Sequence, residues 1–442
     1  MTNANTTPLG NNKRYLVLLD KNRVNDGIQV VRQRAQMADT MRVVSTTDAT
    51  EGFLAQEQIE QSDVVILDRL GVALVNHPLA VQQGSSLMAA SQESDVPILA
   101  VVEEENWQAF EEPDLSLLQS EATTEISRRY LEGYRDAVNQ LIDKLIITEA
   151  TATTTTLAET SATWGLQATR TLESPYSGSG IRVAVLDTGM DLNHPDFVGR
   201  KIVSKSFIPG VSSAQDGNGH GTHCIGTACG SRTPAILPRY GIAYESEIYA
   251  GKVLRDRGDG SSFDIVTGIE WGIEQNCAII SMSLGGGVRE GQSFDPFYEM
   301  VGDRALDAGS LIVAAAGNDS RRPFRTTPVS SPANCPSFMA VAAVDSAMGI
   351  ARFSNAGINP NGGDIDIAGP GVDVYSSYPM STRYERLNGT SMATPHVAGI
   401  AALYAQATGS RGQALWNLLL RNAQRLALSS RDVGSGLVQA PR

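Results

Sequence analysis

The sequence predicts an α/β fold: a mainly parallel sheet flanked by helices, preceded by a small ferredoxin-like α+β domain. Three observations carry this. From residue 181 onward, runs such as IRVAVLD, EIYAGKVL, CAIISMSLGG, SLIVAAAGN and SFMAVAAVD show little polar alternation, as strands buried on both faces do. Helical stretches at 264–275, 296–308 and 391–407 intervene between them. Before residue 160 the order reads β-α-β-β-α-β, the ferredoxin-like arrangement.

The elements follow in chain order. Residues 1–12 form a polar tail, expected to be disordered, without the charged and apolar regions of a secretory signal, so a cytoplasmic location is expected, with export by an unconventional route as the alternative. Residues 13–112 are the first domain, with strand patterns at 15–19, 41–45, 63–76 and 97–102 and helical ones at 26–38 and 79–91. Between 79 and 127 there are ten acidic residues and no Lys or Arg, which an ordinary solvated face accounts for as well as a functional one. Residues 113–163 join the domains. Within them, 114–147 has apolar residues three or four apart, as an amphipathic docking helix or helix pair requires. The Thr-rich run 148–163 reads as an exposed linker open to proteolysis. Residues 164–442 form the second domain, where most of the 42 glycines lie.

Composition narrows the function. At 442 residues, 42% hydrophobic and 19% charged, the chain buries a full core. The net charge of −13 argues against nucleic acid as a ligand. The acidity is uneven: residues 1–160 carry 24 acidic and 12 basic side chains, the remainder 24 and 23. No run is apolar and long enough to span a bilayer, so no membrane partner is expected. Four cysteines without a C-x-x-C pair read as reduced thiols.

Four segments carry chemistry. Asp187 ends a strand after an apolar run, so its carboxylate needs a donor. His220 stands in DGNGHGTHC, whose glycines permit a tight turn before a helix. Asn318 follows the strand AAAGN, and Ser391 in GTSMATPHVAG opens a helix with Pro395 near its first turn. Asp, His and Ser in this order match one of the known arrangements of a hydrolytic triad.

With DGNGHGTHC, SLGGG, SPANCP and GTSMATPHVAG in order, and separations of 33, 98 and 73 residues between Asp187, His220, Asn318 and Ser391, the chain resembles the subtilase family of serine proteases from 164 to 442. Within the family it most resembles the proteinase K type. The resemblance implies a subtilisin-like catalytic domain and makes the N-terminal domain, ending in ILAVVEEENW, an inhibitory propeptide. The implied product is a self-inhibited zymogen, released by a cut within 148–163, that hydrolyses protein or peptide substrates.

Peptide hydrolysis assigns the roles. Ser391 is a weak nucleophile that needs a base in hydrogen-bond reach, His220 is that base, and Asp187 orients it. The Asn318 amide and the Ser391 backbone N–H would receive the oxyanion. Gly258, Gly260 and Ser261, with Ser283, Leu284 and Gly285, offer backbone edges to an extended substrate. By resemblance, Ser283, Leu284, Gly285, Ala316 and Gly317 line the pocket before the scissile bond. Asp319 either favours basic residues there or is a plain surface acid.

Other features read more simply. His220 and His223 lack the H-E-x-x-H pattern, so no metal is required for the chemistry. Cys224 reads as a buried inert thiol. Asp196 matches a calcium ligand of some subtilases, but the loop completing that site is replaced by GSRTPAILPRYGIA. The resemblance implies another calcium site at Pro336, Phe338 and Asp366, although a capping or turn role for Asp366 serves as well. A regulated adaptor with vestigial hydrolysis is the second functional reading. The complete set of Asp187, His220, Asn318 and Ser391 speaks against it.

Overall fold

The structure, a computed structural model, describes residues 13–38, 40–48, 54–110 and 159–442. The expected tail at 1–12, the amphipathic stretch 114–147 and the first part of the Thr-rich linker lie outside the described residues.

The N-terminal unit comprises β1 (Lys13–Leu19), α1 (Val24–Arg34), β2 (Val43–Ser45), α2 (Gln56–Glu60), β3 (Val64–Leu67), β4 (Val72–Leu79), α3 (Val81–Ala90), β5 (Ile98–Glu103) and β6 (Asn106–Ala109). The first five strands form one sheet in the order β2-β3-β4-β1-β5. The run expected as a single strand over 63–76 divides into β3 and β4, because the chain turns back at Gly71 with φ +60°. Leu79 ends β4 instead of opening a helix.

Alternation in β1 explains how this unit is covered. Tyr15, Val17 and Leu19 pack with Ile28, Val31 and Leu87 of its own helices. Leu16 and Leu18 face the other way and join Phe263, Phe297 and Val301 of the C-terminal unit. Both faces are buried, so the strand reads as an unbroken apolar run.

The C-terminal unit begins with α4 (Trp164–Ala168) and holds a seven-stranded parallel sheet in the order β15-β14-β13-β11-β7-β9-β8. Its strands are β7 (Arg182–Asp187), β8 (Ile202–Ser206), β9 (Glu247–Lys252), β11 (Ile279–Met282), β13 (Leu311–Ala315), β14 (Met339–Val344) and β15 (Ile367–Pro370). The helices that matter here are α5 (His220–Cys229), α6 (Ser262–Glu274), α7 (Pro296–Asp307) and α8 (Thr390–Thr408). Helix α8 is buried through most of its length against the sheet. From β7 the chain moves out to β8 and β9 on one side and later to β11 on the other, so β7 sits where the winding reverses. Ligands of such sheets bind beyond the strand C-termini at that point.

The end of the Thr-rich stretch is not a loose linker. Ala162 and Thr163 are buried, and Thr163 N–H donates to Arg239 O at 2.9 Å. Glu159 caps α4 through Trp164 N–H at 2.6 Å and pairs with Arg386 at 2.5 Å. Among the described residues no helix is long and apolar enough to cross a membrane, and all four cysteines are free and buried.

Candidate active site

Asp187 closes β7 and is fully buried. Its Oδ1 accepts from Thr188 N–H at 2.7 Å and from His220 Nδ1 at 2.8 Å. Helix α5 comes this close because Gly221 lacks a side chain: a Cβ there would stand 2.2 Å from Gly189 O. Burial disfavours the imidazolium of His220, but the adjacent Asp187 carboxylate outweighs it and holds the group well above its ordinary value. With Nδ1 engaged, Nε2 is the nitrogen left for a partner, and it is buried without one.

Ser391 is the second residue of α8 and fully buried. Its hydroxyl is not bonded to His220. It donates to the carbonyl of Phe110 at 2.7 Å, with Ser283 O a second acceptor at 3.2 Å. Asn318, just beyond β13, donates through Nδ2 to the same Phe110 oxygen at 2.9 Å. Its orientation is fixed from behind, since Asn318 Oδ1 accepts both the N–H and the hydroxyl of Thr390 at 2.9 Å. The expected second donor was the Ser391 backbone N–H. In this arrangement the Ser391 hydroxyl takes that place.

Pro395 lies deeper in α8 than the first turn, at the sixth helical position. Having no N–H, it leaves Ser391 O without its usual i+4 donor. Ser283 Oγ fills that role at 2.9 Å and Cys224 Sγ approaches at 3.5 Å. The same sulfur lies 3.9 Å from His220 Nδ1. Burial pushes the Cys224 thiol up, so it stays protonated.

Strand β6 fills the groove in front of these residues. It lies antiparallel between β10 (Asp259–Ser261) and β12 (Leu284–Gly285) as the middle of a three-stranded sheet. Trp107 stands opposite Gly260, Asn106 opposite Ser261, Gln108 opposite Gly285 and Ala109 opposite Leu284. Ala109 N–H donates to Gly258 O at 2.9 Å, and Phe110 N–H to Ser283 O at 3.2 Å. The Phe110 ring occupies the space Gly285 leaves open, where a Cβ would lie 2.7 Å from its Cζ. Trp107 is buried against Tyr298 with ring centroids 4.8 Å apart. Six of the eight predicted substrate residues thus line one extended strand. Ala316 and Gly317 lead into Asn318, and Gly317 N–H is held by Thr390 Oγ1 at 3.1 Å. Asp319 faces Asn355, accepting from its Nδ2 at 3.1 Å.

Several other titratable groups are held by bonds within the fold. Burial drives His223 down to about 3 and His396 to about 4, and each ring bonds a backbone carbonyl, Val374 O at 2.9 Å and Met392 O at 2.8 Å respectively. The Asp196 carboxylate is taken up by Ala235 N–H at 2.8 Å, Tyr240 OH at 2.6 Å and Tyr384 OH at 3.0 Å. Asp366 at the entry to β15 accepts from Ala340 N–H at 2.8 Å, and burial pushes it to about 7. Pro336 and Phe338 lie on the segment entering β14.

Sequence reasoning missed Phe110, Tyr298 and two interface residues. Glu270 on α6 accepts Arg69 N–H and Leu70 N–H, each at 2.8 Å, and Thr46 Oγ1 at 3.1 Å. Arg304 on α7 donates to Leu70 O, to Leu19 O at 2.9 Å and to Gly71 O at 3.2 Å. A signal existed only for Phe110, the first aromatic after ENW.

The chain is similar to known proteins over its C-terminal unit. The subtilase family model matches residues 178–436. An alkaline protease of Shouchella clausii is 41% identical over 296 residues, covering 66% of this chain and 72% of that protein. Subtilisin Savinase of Lederbergia lenta is 41% identical over 284 residues, covering 63% and 97%. Among solved structures, Sphericase superposes with a TM-score of 0.55 at 32% identity, covering 63% of this chain and 98% of that one. A cold-adapted subtilisin-like serine proteinase gives 0.54 at 31%, covering 64% and 100%.

Proposed function

Starting from the fact that this chain belongs to the subtilase family and is a serine endopeptidase acting on protein or peptide chains, we propose that it is made as a self-inhibited zymogen whose own strand β6 occupies the substrate groove. Ser391 is the nucleophile, His220 its base, Asp187 the group that orients and charges the imidazole, and Asn318 the oxyanion donor. The proteinase K subtype is proposed on SPANCP and on Cys224 beside His220.

One observation carries this reading. The Phe110 carbonyl receives Asn318 Nδ2 at 2.9 Å and Ser391 Oγ at 2.7 Å while the strand before it is paired on both edges. A substrate carbonyl about to be attacked would sit in such a position, with Asn318 ready for the developing negative charge. Proton transfer from Ser391 to His220 Nε2 requires the hydroxyl to leave the carbonyl oxygen and turn to the imidazole. Attack gives an acyl-enzyme at Phe110 and frees the amine of Glu111, which takes the proton from His220. Water then repeats the sequence.

The first cut is therefore at Phe110–Glu111, upstream of the Thr-rich stretch. The N-terminal unit remains on the enzyme as inhibitor through Trp107, Glu270 and Arg304 until released. Incubating the full chain and its Ser391→Ala form, followed by mass spectrometry, tests the reading. Wild type should yield a fragment ending at Phe110, and the variant should stay whole. Two intact or identically cut proteins would overturn it.

A structural calcium at Asp366 and the carbonyls of Pro336 and Phe338 is a secondary proposal. It draws support from a buried carboxyl, pushed up to about 7, that a hard cation would return to its ionised state. Its check is a fall in melting temperature on adding a chelator.

A further inference from the structure

Asp216 has no part in the roles above, yet its carboxylate is 3% exposed and carries five hydrogen bonds. Oδ1 accepts from Thr188 Oγ1 at 2.9 Å, Asn218 N–H at 3.0 Å and Gly219 N–H at 2.9 Å. Oδ2 accepts the N–H of Thr222 at 2.9 Å and its hydroxyl at 2.6 Å. The Thr188 oxygen, its proton given to Asp216, accepts from Gly221 N–H at 2.9 Å. Desolvation works against the charge on Asp216, but the Thr222 hydroxyl and the amides of Gly219, Thr222 and Asn218 carry the carboxyl below its ordinary value.

The partners are what matter. Thr188 is the residue after Asp187, and Asn218, Gly219, Gly221 and Thr222 bracket His220 on both sides. Each bond ends within two residues of the Asp187–His220 pair, and the anion stands at the start of α5, where the helix dipole favours it. From the opposite side the buried Lys252 ammonium donates to Thr188 O. The strand end and the helix start are separate elements, with β8 lying between them in the chain. Backbone pairing also links the two segments, Met190 N–H to Ala214 O at 2.9 Å and Asp216 N–H to Met190 O at 3.1 Å, but it lies beyond the Asp187–His220 pair, whereas the carboxylate bonds end beside it.

We infer that Asp216 is a positioning residue: its buried carboxylate clamps the end of β7 to the first turn of α5 and so holds His220 Nδ1 on Asp187 with Nε2 free for the Ser391 hydroxyl. The inference rests on the catalytic roles proposed above.

The test uses the full chain, reading first-order self-cleavage by mass spectrometry between pH 5 and 9. Asp216→Asn keeps the shape but sets an amide NH2 against Thr222 N–H, two donors face to face. Self-cleavage should slow about 100-fold, as misplacement of a reacting group by about an ångström does, and the acid limb of the pH profile should move. In a Ser391→Ala background, the downfield proton signal of His220 Nδ1–H should shift or exchange faster. Thr188→Val cuts the tie to β7 alone and should show the same changes in smaller degree, with Thr188→Ser restoring wild-type behaviour. A folded Asp216→Asn protein that cleaves itself at the wild-type rate with an unmoved pH profile overturns the inference, as does a fall in melting temperature with unchanged kinetics. If Asp216→Asn does not fold, the two Thr188 variants decide by the same criteria. Ser391→Ala separates the levels: if it cleaves itself like wild type, the catalytic reading has failed, and if it is silent while Asp216→Asn is fully active, only the clamp has failed.

Discussion

Asn318 shows how a single side chain is committed to one task. With Oδ1 saturated by Thr390, its Nδ2 has only one direction to face, toward the carbonyl in the groove. Replacing it with Leu should lower kcat for a peptide substrate by about 10²–10³ with KM little changed, as steady-state kinetics on the processed enzyme would read. At this scale much of the site was legible in advance. Asp187, His220, Asn318 and Ser391 each lie at or just beside the end of an element in a short, unusual phrase, so residue type and order suffice to pick them out. What could not be read is which atom each one faces. The Ser391 hydroxyl turns to a carbonyl 281 positions away in sequence, and no local spacing encodes such a contact. Asp216 was hidden for a different reason: four of its five bonds stay within six residues, as in an ordinary loop turn, and only the fifth, from Thr188, ties it to the end of β7.

Strand β6 is an element with no sheet of its own. Its burial pattern over four residues is too short to show a period, so the sequence indicated a first domain reaching 112 whose last strand pattern is 97–102, without a further strand borrowed by the C-terminal unit. The long runs of the C-terminal sheet were legible because burial on both faces leaves a continuous apolar signature. Besides its paired edges, β6 is anchored by Trp107, its one buried side chain at 2% exposed. Trp107→Ala should weaken retention of the cleaved N-terminal fragment by up to about 3–5 kcal/mol, the usual cost of truncating a buried Trp, seen as a shortened lag before hydrolysis of added peptide. Arg304→Ala acts on the other contact. It leaves the carbonyls of Leu19, Leu70 and Gly71 without their charged donor and should also speed release, by a smaller factor.

For the whole molecule, the joint between the two units is expected to respond to protons. Burial raises Asp264, Glu270 and Glu274 to about 7 each. Carboxyls raised on association take up protons as the units join, so the complex is favoured below pH 7 and weakens as pH climbs through it. Lys205, lowered by burial to about 8 and donating to Leu54 O at 3.0 Å, acts in the opposite sense but only at higher pH. Gel filtration of the self-cleaved protein should show fragment and enzyme together at pH 6 and separated at pH 8.5, with the Glu274→Gln form showing a flatter dependence. Charge also reports where the chain is cut. Residues 1–110 carry 14 acidic and 8 basic side chains, so cleavage after Phe110 leaves an enzyme of −7, whereas loss of residues 1–160 leaves −1. Ion exchange distinguishes the two products. The two-edged slot that holds β6 has a wider consequence. It accepts a polypeptide only as a flat ribbon, threaded between two others and bonded along both margins, and a folded client cannot offer one until some stretch of it melts. Digestion by this enzyme should therefore follow how often a client frays, so that two proteins with identical cleavable sequences are consumed in the order of their local opening free energies.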